Sequence, residues 1–132
     1  MAKEPQIEEL KSKLGYGIKI WLEFKEDEKK KNILGSGWAK LLENIDRFKG
    51  GSLSHAAKEC GYSYKYAWNI LKRIEKRTGG FSPVKTSKGG PGGGGSVILN
   101  EWGNYLLKTY QNLVNELKNI EKKLGETLKI TE

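Results

Sequence analysis

The feature that most constrains this chain is a pair of capped apolar segments separated by one glycine turn. Gly50-Gly51 interrupts the chain, and Ser52 follows, a residue whose hydroxyl can cap a helix start. Leu53, Ala56, Ala57 and Cys60 then fall at helical spacing. Gly61 supplies a left-handed turn residue, and Ser63 can cap a further helix running to about Thr78. Ala67, Leu71 and Ile74 give that helix a core face. Two short helices joined by a three-residue turn with glycine make a helix-turn-helix. The small pair Ala56-Ala57 lets the two approach closely.

The flanking pattern surrounds this motif with short strands and further helices. Residues 4–14 predict a short helix, with Pro5 at a first helical position and Ile7, Leu10 and Leu14 on one face. Ile18, Ile20, Leu22 and Phe24 alternate with Lys19, Trp21, Glu23 and Lys25, which reads as a half-buried strand. Glu26 to Lys31 is wholly charged and is expected to be a turn, with Ile33-Leu34-Gly35 returning as a short strand. Trp38, Leu41, Leu42, Ile45 and Phe48 then mark a helix. After Gly79-Gly80, Val84-Lys85-Thr86 and Val97-Ile98-Leu99 are strand candidates around a glycine-rich tract, Ser87 to Ser96. A hairpin there, directly after the third helix of the set, reads as a wing; a plain flexible turn is the alternative for the tract.

Leu106, Tyr110, Leu113, Leu117, Ile120 and Leu124 are spaced 4, 3, 4, 3, 4, a heptad seam. A helix over 101–124 is roughly 36 Å long at about 1.5 Å per residue. The stripe can pack on its own domain or on a partner helix; its length outreaches a core of this size and favours the partner. The expected architecture is mainly α with small β elements (α+β). It comprises an N-terminal helix in residues 1–15 that supports a dimer, a winged helix-turn-helix over 16–99 and a dimerisation helix over 100–132.

Charge points to the partner. Between Ser52 and Lys88 stand eight Lys or Arg against Glu59 and Glu75, so this stretch holds +6 of the net +8. A localised basic excess is the footprint of a polyanion, although a solvated basic face has the same composition. No apolar run is long enough to span a bilayer, and nothing after Met1-Ala2-Lys3-Glu4-Pro5 reads as an export signal. A cytoplasmic, nucleoid-associated protein is expected, and a single cysteine fits a reducing compartment.

Catalytic chemistry has little to stand on. His55 and Cys60 are the lone residues of their types, and no cluster has metal-ligand spacing. Cys60 reads as a small core residue. Gly90, Gly92 and Gly95 formally match G-x-G-x-x-G, but a strand candidate follows where a dinucleotide site needs a helix. No enzyme, cofactor, metal or small-molecule effector is expected.

The helix from Ser63 carries the sharper signal. Tyr64, Lys65, Trp68, Asn69 and Lys72 lie on or near the side opposite its core face, and recognition helices present their first turns to the major groove. Lys65 and Asn69 carry the donors and acceptors that base edges require. Tyr64 and Tyr66 can reach phosphates or thymine methyls, and Arg73, Lys76 and Arg77 would flank the backbone. Trp68 can serve either core or DNA.

Gly51 to Lys58 (Gly-Ser-Leu-Ser-His-Ala-Ala-Lys), with Gly61 to Trp68 (Gly-Tyr-Ser-Tyr-Lys-Tyr-Ala-Trp), resembles the amino-terminal domain of ModE-type molybdate-responsive regulators, relatives of the LysR-type winged helix. The likeness runs through Gly89 to Gly95 and Leu99-Asn100-Glu101-Trp102-Gly103, and covers roughly 16–115. It implies a dimeric DNA-binding regulator in which Ser63, Tyr64, Lys65 and Lys88 with the neighbouring glycines contact DNA. With 132 residues, no room is expected for the family's oxyanion-sensing domains, so a molybdate role is not carried over. The candidate DNA-contact set is thus Ser52, Ser54, Ser63, Tyr64, Lys65, Tyr66, Trp68, Asn69, Lys72, Arg73, Lys85, Lys88, Gly92 and Gly93. The expected function is sequence-specific regulation by a homodimer on double-stranded DNA. An architectural DNA-binding protein of low specificity is the alternative, and a protein-interaction module a third reading.

Overall fold

The computed structural model describes Glu4, residues 6–88 and residues 95–130, the side chain of Ile130 excepted. In order these form α1 (Ile7–Lys11), β1 (Leu22–Glu26), β2 (Lys29–Leu34), α2 (Ser36–Arg47), α3 (Leu53–Cys60), α4 (Tyr64–Arg77), β3 (Val84–Ser87), β4 (Ser96–Leu99) and α5 (Glu101–Ile130). Two antiparallel hairpins, β1-β2 and β3-β4, stand beside the helices. The architecture is an α+β winged helix with a long C-terminal helix.

One core joins nearly every element. Ile33 and Leu34 of β2 and Leu41, Leu42 and Ile45 of α2 meet Ala56 and Ala57 of α3. Ala67, Ile70, Leu71 and Ile74 of α4 complete it, with Val97 and Leu99 of the wing and Leu106, Leu107 and Tyr110 of α5. The helical periods expected for α2, α3 and α4 are therefore realised as burial. Thr78, fully buried, closes α4: its hydroxyl donates to carbonyls of Ile74 and Phe81 at 2.8 and 3.1 Å. Gly79 and Gly80 then turn with φ of 78° and 99°, a region that side chains disfavour.

Three expectations need correction. The charged run is not one long turn. The turn is Asp27-Glu28, with Asp27 at φ 55°, and Glu26 pairs with Lys29, Lys25 with Lys30 and Phe24 with Lys31. Charged residues can extend a strand whose side chains face water, so the run is no bar to pairing. The first strand also starts at Leu22, and residues 18–21 lie outside any strand.

The heptad seam divides. Leu106 and Tyr110 are 3% and 6% exposed, inside the chain's own core, whereas Ile120 and Leu124 are 47% and 39% exposed. Leu113 is exposed too, and Leu117 is half-buried. Periodicity marks an apolar stripe but not which body covers it. The helix also runs beyond Leu124, to 30 residues or about 45 Å. Tyr16 donates its hydroxyl to the carbonyl of Glu121, laying the N-terminal segment along α5. Ile7, Leu10 and Leu14 remain exposed.

The start of α5 is clamped to the wing. Asn100 caps it, its Oδ1 accepting from Gly103 N at 2.8 Å, while its Nδ2 donates to the carbonyl of Ser82 at 2.6 Å. A Cβ on Gly103 would stand 2.0 Å from the carbonyl oxygen of Pro83. No side-chain motion can relieve a clash with backbone, so Gly103→Ala must push α5 off the wing. Urea unfolding should show a loss of about 2–3 kcal/mol, in the upper range of overpacked cores. A neutral result would mean the junction is loose.

Candidate nucleic-acid interface

Local chemistry sets α3 and α4. Ser52 caps α3, its Oγ accepting from His55 N at 3.1 Å, and Ser63 caps α4 likewise from Tyr66 N at 3.1 Å. Between them Gly61 takes the left-handed turn at φ 77°, and Tyr62 N donates to the carbonyl of Ala57 at 2.9 Å. The Tyr62 hydroxyl donates to the carbonyl of Gly37 at 2.7 Å, tying the turn to the start of α2. Each capping serine accepts one bond and keeps its own O–H to donate outward. Both helix N-termini carry partial positive charge.

These termini open with the wing onto one groove of about 800 Å³, lined by Ser52, Leu53, Ser54, Tyr64, Trp68, Thr86, Ser87, Lys88, Gly95, Ser96 and Val97. The structure thus brings together Ser52, Ser54, Tyr64, Trp68 and Lys88 from the sequence-predicted set. Trp68 is 39% exposed and does not close the core. Lys72 stands 4.7 Å from its ring centroid and 3.3 Å from Glu75, which leaves that ammonium partly neutralised. Lys65 and Asn69, exposed and four residues apart, follow one another along the outward stripe of α4. Ser63 is exposed at the head of that stripe.

Other candidates lie elsewhere. Tyr66 lines an apolar recess with Trp38 and Tyr110 and packs edge-on against Tyr62, ring centroids 4.9 Å apart. Arg73 lines a basic recess beside the β1-β2 hairpin. Lys85 lines a third recess with Phe81 and Trp102. Alternation along β3 carries the reason: Thr86 pairs with buried Val97, whereas Lys85 pairs with exposed Ile98. Gly92 and Gly93 lie outside the described residues. Sequence reasoning missed Thr86, Ser87 and Ser96; alternation could have found Thr86, which shares a face with Lys88, but not Ser87 and its partner Ser96, which fall on the face of Lys85.

Cys60 is buried, with Asn44 Nδ2 at 3.2 Å from its sulfur, and burial pushes its thiol pKa up. A protonated core thiol is a poor nucleophile. Among the described residues no group of three His, Cys, Asp or Glu is placed to hold a metal ion, and no helix is long and apolar enough to cross a membrane.

Comparison with known proteins adds a relative. Over 63 residues, 48% of this chain, it is 38% identical to the DNA-binding transcriptional dual regulator ModE of Escherichia coli K12. The same values hold for the transcriptional regulator ModE of Escherichia coli O157:H7 and of Shigella flexneri. The chain is ModE-like over that stretch. The match spans 23% of the length of each ModE relative. No family model matches the chain.

The cap at Ser63 can be separated from the rest of this surface. Ser63→Ala removes the acceptor for Tyr66 N and should cost about 1 kcal/mol in urea unfolding, whereas Ser63→Asp should restore it, since aspartate caps as well as serine. Equal stability of all three chains would show that the cap contributes nothing.

Proposed function

We propose that this chain is a sequence-reading regulator of transcription that binds duplex DNA as a homodimer. The observation that carries the reading is the single groove onto which two capped helix N-termini and the Lys88-bearing wing open. The N-terminus of a helix is suited to phosphate, since its unpaired N–H groups and dipole both favour anions. With the head of α4 in the major groove, Lys65 and Asn69 face base edges, and Lys88 holds the backbone beside them. The ModE relatives, one of them named as DNA-binding, support this assignment for the matched stretch.

Base reading and backbone holding can be told apart. Lys65→Ala should relax discrimination at one or two base positions, costing about 1–3 kcal/mol at the preferred site. Lys88→Ala should weaken all duplexes alike and reduce the log–log salt slope by about 0.9 for each phosphate that the lysine neutralises. Binding of both variants to a selected operator, to its single-base variants and to random duplex is the measurement. If both substitutions lower every affinity by one factor, Lys65 is a phosphate contact and the architectural reading takes over. A salt-independent wild type would remove the nucleic-acid reading.

Dimerisation is assigned to the distal half of α5. Leu113, Ile120 and Leu124 are exposed apolar residues on one stripe, and Ile7, Leu10 and Leu14 add a second apolar face. Leu106 and Tyr110 have no share in it, being already buried. Ile120→Glu with Leu124→Glu leaves the described core untouched and should yield monomers by sedimentation. A double variant that sediments as the wild type does would move the interface elsewhere.

A further inference from the structure

The charged β1-β2 hairpin has no part in the groove, yet it forms a recess with the far end of α4. Lys30, Lys31, Asn32, Arg73, Lys76 and Arg77 line a space of about 590 Å³, five cations without one carboxylate. Among the described residues no ion pair engages any of these five. Glu75 is turned to Lys72 at 3.3 Å, and Glu26 and Asp27 line an adjoining recess with Lys29 that shares Lys31, Lys76 and Arg77 with this one. One cation is held in place: Arg77 Nη1 donates to the carbonyl of Asn32 at 2.7 Å, and its guanidinium carbon lies 5.5 Å from the Trp38 ring centroid. Mutually repelling charges gathered and partly fixed in one recess suit a polyanion that neutralises them together.

The geometry of α4 says which polyanion. Lys65, Asn69, Lys72 and Lys76 recur at intervals of four, three and four, so one exposed stripe runs from the reading end to this recess. The helix has 14 residues, about 21 Å, against a major groove about 12 Å wide. With its first turns in the groove, its last turn lies past the groove edge, where phosphates stand. We propose that Lys30 and Lys31, with Arg73, Lys76 and Arg77, form a second phosphodiester-binding site. This site holds duplex DNA flanking the segment read at the groove. It rests on the DNA-binding reading above and lengthens its footprint.

The test uses the full chain and two duplexes, a minimal selected operator and the same operator extended by about one helical turn, roughly 10 base pairs, on each side. Wild type should bind the extended duplex at least tenfold more tightly than the minimal one. Lys30→Ala with Lys31→Ala, both exposed strand residues, should erase that gain and leave minimal-duplex affinity and base preference as they were. Its salt slope on the extended duplex should fall by about 0.9 for each cation removed that met a phosphate. Lys76→Ala, on the other wall of the recess, should lose part of the same gain. Equal wild-type affinity for the two duplexes overturns the proposal. So does a hairpin variant that matches wild type on both, which would leave the recess to an acidic protein surface. Wild type that binds neither duplex would instead overturn the DNA-binding reading itself.

Discussion

The outward-facing surfaces of this protein are aimed by one close approach, the first turn of α5 against the carbonyl of Pro83. There is no room for a Cβ at Gly103, and Asn100 bonds both into the helix and back to Ser82. A further backbone bond, from Asn100 N to the carbonyl of Pro83 at 3.1 Å, closes the junction. Wing and long helix therefore leave the core as one rigid corner. From the other side of the wing, Val97 N donates to the carbonyl of Gly51 at 2.9 Å, next to the residue that caps α3. The wing, the start of α3 and α5 are thus held by short backbone contacts, which tolerate less motion than side-chain contacts do.

That rigidity gives the groove its chemistry. A helix end attracts an anion only within about a turn, so two such ends act together only if their separation is fixed. The Tyr62 bond to Gly37 and the Gly61 turn fix it here, by locking α3 and α4 to the start of α2. The groove carries few full charges, Lys88 being its one cation among the described lining residues. Hydroxyls of Ser52, Ser54, Tyr64, Thr86, Ser87 and Ser96 supply most of its polar character. Neutral donors orient a phosphate without adding long-range attraction, which falls instead to the lysines and arginines beyond the groove.

Much of this was legible in the sequence. The caps at Ser52 and Ser63, the turn at Gly61, the apolar faces of α2 to α4 and the two wing strands all follow from local chemistry. Each depends on neighbours within a few residues. What stayed illegible depends on distant ones. Leu106 and Ile120 occupy equivalent places in one heptad pattern, yet the first meets the core and the second meets water. Lys85 and Lys88 read alike as wing cations, although only Lys88 reaches the groove. The run from Glu26 to Lys31 reads as a turn because charge excludes burial, but exclusion from the core does not exclude pairing. Trp68 shows the converse: its size suits the core, while its place on the flank of α4, beside the buried stripe of Ala67, Ile70, Leu71 and Ile74, leaves it at the surface.

The division of α5 has a consequence for how two copies could read DNA. Its first turns, through Tyr110, are packed against α2 and the wing, so its direction is set by the same core that sets α4. A partner helix bound along Leu113, Ile120 and Leu124 would then inherit that direction. The spacing of two reading helices, about 34 Å or a multiple of it on straight DNA, becomes a property of core packing rather than of linker length. To change that spacing, α5 must tilt, and tilting it must repack Leu106, Leu107 and Tyr110 together and part Gly103 from Pro83. Close-packed cores resist such gradual deformation and move between discrete arrangements. If two copies read DNA in this way, they would tolerate little variation in half-site separation, and that intolerance would discriminate between sites independently of any base contact.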